Sequence, residues 1–571
     1  MQDVKPSRQR RWRLLGSLAA ILTAAAPASG ADKPMGTDPP TAAPLRIPVR
    51  LHAGPTVTAA RATPVAFGVP FQRGVLTDID ELRVVDGNGR ELPSDQSELA
   101  RWRLLGRESK LESVRAALVR IEVVLEPGTV QHIYLETARR SARLNPAAQA
   151  RATWVSVRDG VDRNEYGSAV ELAEPAVYAT LEPEWLGSSF LRSTMRAVGV
   201  DREWRWYDEA QIGYAKTAVN DVPDQVAADQ RIDYLASAEP WQLDRASSLW
   251  NVYVRTGDVK WLRHAHRATQ FYARHIGANG AFALKTSSPD LKYSYGLPLL
   301  IDYLLTGDDE LLRPIENIAR FASTFTTTYR RDLTFWTERH QAYALLAALT
   351  AWEATGKPVH AARTVDVANA TFRAAREPAA DWPVDGCVLH TIRQHEGDDD
   401  ARPACSPWMS ALLGEAVWRY YLFSEDRAAL EFLANLGEFL VEYGVRDVSD
   451  AHPQLRGRWA PWYLASRSVQ YTDSGPWADI EHQCDVAGLV ARGVWAAGQL
   501  GRDQTSMLEL LDKLIDGCRR NLEAWHRPAD ASRPAWRLQP PRKFNWWFGT
   551  TSDLSAIVES LAADRIVTPG R

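Results

Sequence analysis

A chain of 571 residues is longer than one hydrophobic core usually organises, so two domains are the natural expectation. The formal net charge of -4 is small for that length and the Lys and Arg residues are scattered, which argues against a dedicated nucleic-acid surface. Aromatic usage leans to Trp, with 22 against 18 Tyr and 14 Phe; an indole face can stack on a sugar ring or fill a core.

Residues 1–30 read as an export signal. Arg8, Arg10, Arg11 and Arg13 form a basic stretch, Leu14 to Ala26 is apolar, and cleavage near Ala28 or Gly30 fits the small residues there. The apolar run falls short of the roughly 20 residues a span needs, and no later stretch approaches that length. A periplasmic or secreted protein without a stable membrane span is expected.

Residues 45–185 carry a strand pattern. Arg83-Val84-Val85 and Arg90-Glu91-Leu92 flank Asp86-Gly87-Asn88-Gly89, a hairpin signature. Ala116 to Val124 and His132 to Leu135 flank Glu126-Pro127-Gly128, and Trp154 to Val157 precedes Asp159-Gly160. The expectation is an antiparallel β domain, a sandwich or barrel.

Across residues 200–565 the period becomes helical and repeats. Six segments open on polar or aromatic residues, run through small helix formers and mostly stop at a turn like Thr-Gly-Asp. They begin at Trp241, Asp290, Glu338, Ser406, Glu481 and Trp546. Between most of them lies a more amphipathic helix, such as Lys260 to His275 or Asp308 to Phe325. Helix pairs repeated about six times close a ring. The predicted fold is therefore an (α/α)6 toroid behind the β domain, with Asp258, Asp308 and Asp426 on the rim opposite the funnel mouth. An open helical solenoid is the alternative.

Four cysteines fit disulfides in an oxidising compartment, and no C-x-x-C or Cys/His spacing marks a zinc site. Antiparallel helix pairing puts Cys484, at an inner-helix start, beside Cys518, at an outer-helix end; Cys387 and Cys405 both precede the fourth inner helix. No cofactor or metal is expected. Asp398-Asp399-Asp400 lacks the spaced ligands of a calcium loop and reads as solvated, and His264 and His266 read as surface residues.

Two stretches resemble known families. Gly68-Val69-Pro70-Phe71-Gln72-Arg73-Gly74, continuing through Leu82-Arg83-Val84-Val85-Asp86 to Leu92-Pro93 and Gln96, resembles the N-terminal barrel domain of exo-acting rhamnogalacturonan lyases; their following Trp and Asp-Gly-Ser are approximated by Trp102 and Gly106. The helical repeat, with Leu304-Leu305-Thr306-Gly307-Asp308 as its best piece, resembles the six-hairpin toroid of polysaccharide lyases and of unsaturated-uronide and other glycoside hydrolases. The resemblance implies an enzyme acting on an acidic polysaccharide or oligosaccharide.

In a toroid, the funnel is lined by the starts of the inner helices, whose free N–H groups and positive dipole ends suit a uronate. β-Elimination needs a base and a cation or donor to stabilise the aci-carboxylate. Tyr293 and His340 are the candidate base and acid, and Arg339, Lys292 and His482 the carboxylate holders. Tyr295, Trp336, Glu481, Asp485, Trp546 and Trp547 are candidate substrate contacts. Hydrolysis would instead need two carboxyls roughly 5–9 Å apart, for which Asp290, Glu338, Glu481 and Asp485 are available. A non-catalytic sugar-binding protein is the third reading.

Overall fold

The structure is a computed structural model that describes residues 45–106, 113–144, 154–157, 165–166, 171–221, 231–284, 289–326, 337–397, 399–449, 455–472, 479–526 and 541–567. The export signal, Trp336 and Asp398 lie outside the described residues. The chain from Pro44 onward forms one compact unit.

Among the described residues ten strands come first: β1 (Arg46–Ala53), β2 (Thr63–Pro70), β3 (Leu82–Asp86), β4 (Glu91–Leu92), β5 (Ser94–Trp102), β6 (Ser113–Val123), β7 (Val130–Thr137), β8 (Trp154–Val157), β9 (Leu172–Pro175) and β10 (Val177–Leu181). They build an antiparallel sheet in the order β10-β1-β7-β3-β4, another in the order β2-β6-β5, and the pair β8-β9. In β1 the period of two buries Ile47, Val49, Leu51 and Ala53. The expected hairpin forms between β3 and β4, with Val84 opposite Leu92. The turn at Glu126-Pro127-Gly128 makes no hairpin. It carries the chain between sheets, because β7 pairs with β1 and β3 while β6 is the centre of the other sheet.

The helices are α1 (Arg205–Ala218), α2 (Arg245–Thr256), α3 (Val259–Arg274), α4 (Leu297–Thr306), α5 (Leu312–Ser323), α6 (Glu338–Thr355), α7 (Pro358–Arg376), α8 (Pro407–Ser424), α9 (Arg427–Phe439), α10 (Gln483–Gln499), α11 (Thr505–His526), α12 (Lys543–Gly549) and α13 (Leu554–Val567), besides shorter turns. α4, LPLLIDYLLT, is buried on every side, as a helix apolar all round must be. Packing runs in a circuit: α2 on α4, α4 on α6, α6 on α8, α8 on α10, α10 on α13 and α12, and α12 back on α2. A second layer of α3, α5, α7, α9, α11 and α1 packs outside it, with α1 bridging α11 and α2. This is a closed (α/α)6 toroid rather than an open solenoid.

The repeated turn has a local cause. Gly257, Gly307 and Gly356 end α2, α4 and α6 in the left-handed region at φ 61, 74 and 66°, which glycine adopts without a Cβ penalty; Glu425 does the same after α8 at φ 52°. The Asp side chains then restart the chain: Asp258, Asp308 and Asp426 accept the N–H of Lys260, Glu310 and Ala428 at 2.9, 3.2 and 2.9 Å. These turns abut the strands, away from the helix starts. Leu105 N–H donates to Phe423 O at 2.8 Å, and Arg73 pairs with Glu425 at 2.7 Å. At Gly68 of β2 a Cβ would lie 1.9 Å from Leu304 O, so only glycine lets the sheet meet the end of α4. The strands thus meet the ring's far end, opposite the helix starts.

Both predicted disulfides are formed: Cys387–Cys405, with Cα atoms 6.4 Å apart, and Cys484–Cys518 at 4.9 Å. The histidine pair departs from expectation. α3 packs against β9, so its sheet-facing side is interior; His266 is fully buried, 2.8 Å from Asp302 on α4, and His264 lies 3.2 Å from Glu165. Among the described residues no helix is long and apolar enough to cross a membrane.

Candidate active site

Six lip segments, one before each inner helix, touch their neighbours around the mouth. Gln242 Nε2 donates to Tyr293 OH at 2.9 Å, and Leu243 N–H to Tyr295 OH at 2.7 Å, joining the first lip to the second. Asp290 and His340 Nε2, 3.5 Å apart, join the second to the third. Ser406 N–H donates to Glu338 at 2.6 Å, and Trp408 stacks on His482 with ring centroids 4.8 Å apart. Trp546 Nε1 donates to Asp485 at 2.8 Å, and Asn545 Nδ2 to Gln242 O at 2.7 Å, which returns to the first lip. Ring closure therefore brings residues some 300 positions apart into one rim.

One arc of that rim holds Asp290, Lys292, Tyr293, Arg339 and His340. Lys292 Nζ stands 3.2 Å from Asp290 and 5.5 Å over the Tyr293 ring. Burial pushes the Asp290 carboxyl up, but the hydrogen bond from His340, the Lys292 N–H and the Lys292 ammonium outweigh it, so the group stays well below the usual carboxylate range. For His340 burial dominates and lowers the imidazole; Asp290 pulls it back, while Arg339 and Lys292 push it down further. His340 is thus neutral at neutral pH, with Nδ1 2.9 Å from Thr337 Oγ1. Arg339 Nε is buried without a hydrogen-bond partner among the described residues.

The opposite arc is aromatic. His482 lies between Trp408 and Trp546, 3.9 Å from the latter ring, and its Nδ1 is 3.1 Å from Asp485. Glu481 is paired with Lys543 at 2.7 Å. Trp547 is turned inward, 97% buried and 5.3 Å from the Tyr214 ring, so it fills the core between α12 and α1 and is no sugar platform. Glu338 is likewise unavailable as a hydrolytic acid: its carboxylate faces His390 Nε2 at 3.1 Å as well as Ser406 N–H.

Between the arcs a cleft of about 520 Å³, open mouth included, is lined by Tyr295 and Trp546 from the predicted set and by Arg192, Asp244, Tyr343 and Glu415 among others. The segment before α1 supplies Arg192, whose Nε donates to Glu415 at 2.7 Å. Asp244 caps α2 by accepting Ser247 N–H at 3.0 Å, and burial pushes its carboxyl up to about 6 against the pull of Arg192 and Ser247. Leu243 and Asp244 both sit at φ 62°, a left-handed pair that non-glycine residues adopt at a cost. Arg192 Nη1, Ser294 Oγ and Thr550 Oγ1 line the cleft and are buried with no hydrogen-bond partner among the described residues. None of Tyr293, Arg339, His340 or His482 lines this cleft; they stand around it. Sequence reasoning placed the first helix entry at Trp241 and missed Asp244 as a site residue. Its weakened acidity and backbone strain follow only from the closed ring, and Arg192 belongs to no repeat.

No protein-family model matches the chain, and no curated protein does. Among solved structures it is similar to an unsaturated glucuronyl hydrolase specific for heparin, at 13% identity over 62% of this chain and 98% of that one, TM-score 0.41. It is also similar to the unsaturated glucuronyl hydrolase of Streptococcus agalactiae, at 12% identity over 63% and 97%, TM-score 0.39. An inactive variant of the α-1,6-mannanase of Salegentibacter sp. HEL1_6 gives 10% identity over 62% and 99%, TM-score 0.39. The toroid rests on the helix circuit itself.

Proposed function

We propose that the protein is a carbohydrate-active enzyme of the cell envelope or exterior that binds an acidic oligosaccharide or polysaccharide at the toroid mouth and cleaves it by β-elimination. The observation that supports this most is the composition of the first arc. Lys292 stands 5.5 Å over the Tyr293 ring and Arg339 acts on the neighbouring His340, while the arc's carboxylate, Asp290, is held ionised and cannot serve as a general acid at neutral pH. In this reading Arg339 and Lys292 take the uronate carboxylate and stabilise its aci form, and Tyr293 exchanges the proton, its oxygen steadied by Gln242. His340 positions Asp290. Trp546 and His482 form the sugar-stacking wall.

Hydrolysis is the second reading, favoured by one feature. Asp244, whose carboxyl burial pushes up to about 6, shares the cleft with a second carboxyl, Glu415, and hydrolysis needs two such groups. The test is to incubate the purified chain with uronic-acid polymers and follow ultraviolet absorbance and reducing ends together. Elimination raises both. New reducing ends without a double bond establish hydrolysis, and neither signal on any acidic glycan refutes the enzyme reading.

A further inference from the structure

Beside the first arc, Glu338, His390 and His395 turn one ligand-capable atom each toward a common point, all within 4.8 Å of one another, and all three residues are buried. They come from separate places in the chain. Glu338 is the first residue of α6, and both histidines ride on the loop from Cys387 to Cys405 that the disulfide closes. Within that loop a two-stranded ribbon, His390–Thr391 against Pro403–Ala404, fixes the first histidine, and a one-turn helix, Ile392–Glu396, carries the second.

The second layer of contacts orients the rings as ligands need. His390 Nδ1–H donates to Thr391 O at 3.0 Å, which leaves Nε2 toward Glu338. His395 Nε2 lies 3.3 Å from Tyr463 OH, and its Nδ1 is buried with no partner among the described residues, in a side chain 98% buried. Glu338 accepts Ser406 N–H at 2.6 Å, which fixes the carboxylate. Holding one ring nitrogen by a carbonyl or hydroxyl while the other is left for a metal is the usual outer shell of such a site. The spacing agrees. Ligands at about 2.0–2.1 Å from Zn²⁺ in tetrahedral geometry stand about 3.3 Å apart, and His390 Nε2 is 3.1 and 3.2 Å from the two Glu338 oxygens. A plain Glu–His ion pair would account for His390 but gives the buried Nδ1 of His395 nothing to bind.

We propose that Glu338, His390 and His395 form a binding site for a divalent transition-metal ion, with Zn²⁺ the ion that two imidazoles and a carboxylate suit in a compartment that also oxidises thiols. The ion clamps the disulfide-closed loop to the first turn of α6, the turn that carries Arg339 and His340. It does not depend on whether the mouth performs elimination or hydrolysis, so failure of either reading leaves the metal site standing.

The test uses the whole chain with its disulfides formed, stripped with a chelator and dialysed against Zn²⁺ alone. Metal content is read by mass spectrometry, and Co²⁺ is used in parallel for its ligand-field absorption. One ion per chain is expected, with a Co²⁺ spectrum of low coordination number. His395→Ala is the decisive variant, since it removes a ring nitrogen that the fold leaves unbonded; it should weaken binding by at least about 100-fold, while His132→Ala on β7 leaves it unchanged. Glu338→Gln also uncouples buried His390, so its folding is checked by circular dichroism before its metal content is read. A wild-type chain that retains no Zn²⁺ and gives no Co²⁺ spectrum overturns the proposal, as does unchanged retention in folded His395→Ala.

Discussion

Replacing Glu353 by Gln tests how the strands are tied to the ring. Glu353 lies near the far end of α6, fully buried, and holds two guanidinium groups at once. Arg115 of β6 bonds one of its oxygens, while Arg419 of α8 donates Nε at 2.8 Å and Nη2 at 2.7 Å. Neither arginine side chain is more than 3% exposed, and Arg115 also lies 5.0 Å over the Trp102 and Phe423 rings. One anion thus offsets two cations in a buried region. Breaking a buried pair typically costs about 3–5 kcal/mol, and here the two arginines would also repel each other, so the upper half of that range is expected. Against a total stability of about 5–15 kcal/mol that is a large fraction. Urea unfolding followed by Trp fluorescence reads the change. Arg427→Ala, which breaks an exposed pair with Glu431 at 3.1 Å, is the control and should shift stability by no more than about 0.5 kcal/mol. Replacing Glu353, Arg115 and Arg419 together by Met should recover much of the loss. A Glu353→Gln chain within about 1 kcal/mol of wild type would refute the argument that this network fastens the two parts.

Arg339→Ala should lower turnover of the acidic substrate by about 10²–10³-fold with the melting temperature nearly unchanged, since one transition-state donor is lost; an unaltered rate would remove Arg339 from the chemistry. The raised Asp244 carboxyl makes a signed pH prediction. Its folded value near 6 exceeds the unfolded value of about 3.9, so its contribution is full below the unfolded value and is lost as pH rises to 6. Asp244→Asn, which can still cap α2, should therefore gain about 2–3 kcal/mol relative to wild type between pH 4 and pH 7, checked by denaturation at both; equal differences at the two would contradict the shift. Cys484→Ser should cost about 2–4 kcal/mol in non-reducing urea titrations, and no loss would mean that the bridge does not constrain the unfolded chain.

The ring was legible in the sequence because its signals are local. Each Thr-Gly-Asp turn is a helix stop and a cap in one, and small apolar runs such as Ala487 to Ala497 can only be interior. The Cys484–Cys518 bridge followed from the same helix pairing, and Cys387–Cys405 from their shared place before the fourth inner helix. The site was less legible because it is assembled across the ring. Asp290, Lys292 and His340 could be named from their helix starts, but that Asp290 is locked ionised depends on a neighbour 50 residues away. Trp547 and Glu338 looked available until packing turned one into the core and the other toward His390. Glu338 and His390 stand 52 residues apart, beyond any spacing motif, which is why the metal cluster escaped sequence reading.

Local rules fail most visibly at Leu243 and Asp244, two consecutive non-glycine residues in the left-handed region with a buried carboxyl at the second. Strain of this kind costs about 1–3 kcal/mol per residue and persists only where neighbours over-determine it. The neighbour here is Tyr295. Its hydroxyl accepts Leu243 N–H at 2.7 Å and donates to Lys292 O, so it pins the strained segment of the first lip to the second lip. Tyr295→Phe keeps the ring packed against Tyr272 and Tyr343 but leaves a buried N–H and a carbonyl unmet, an expected cost of about 1–3 kcal/mol for the first of them. Because the pinned segment presents Asp244 to the cleft while Lys292 belongs to the cationic arc, the variant should lose turnover under either catalytic reading. Tyr295 would act as a positioning residue rather than a sugar contact, so kcat should fall with KM little changed. A rise in KM alone would return Tyr295 to the sugar-binding wall. Wild-type stability and turnover together would mean that the strained pair holds itself.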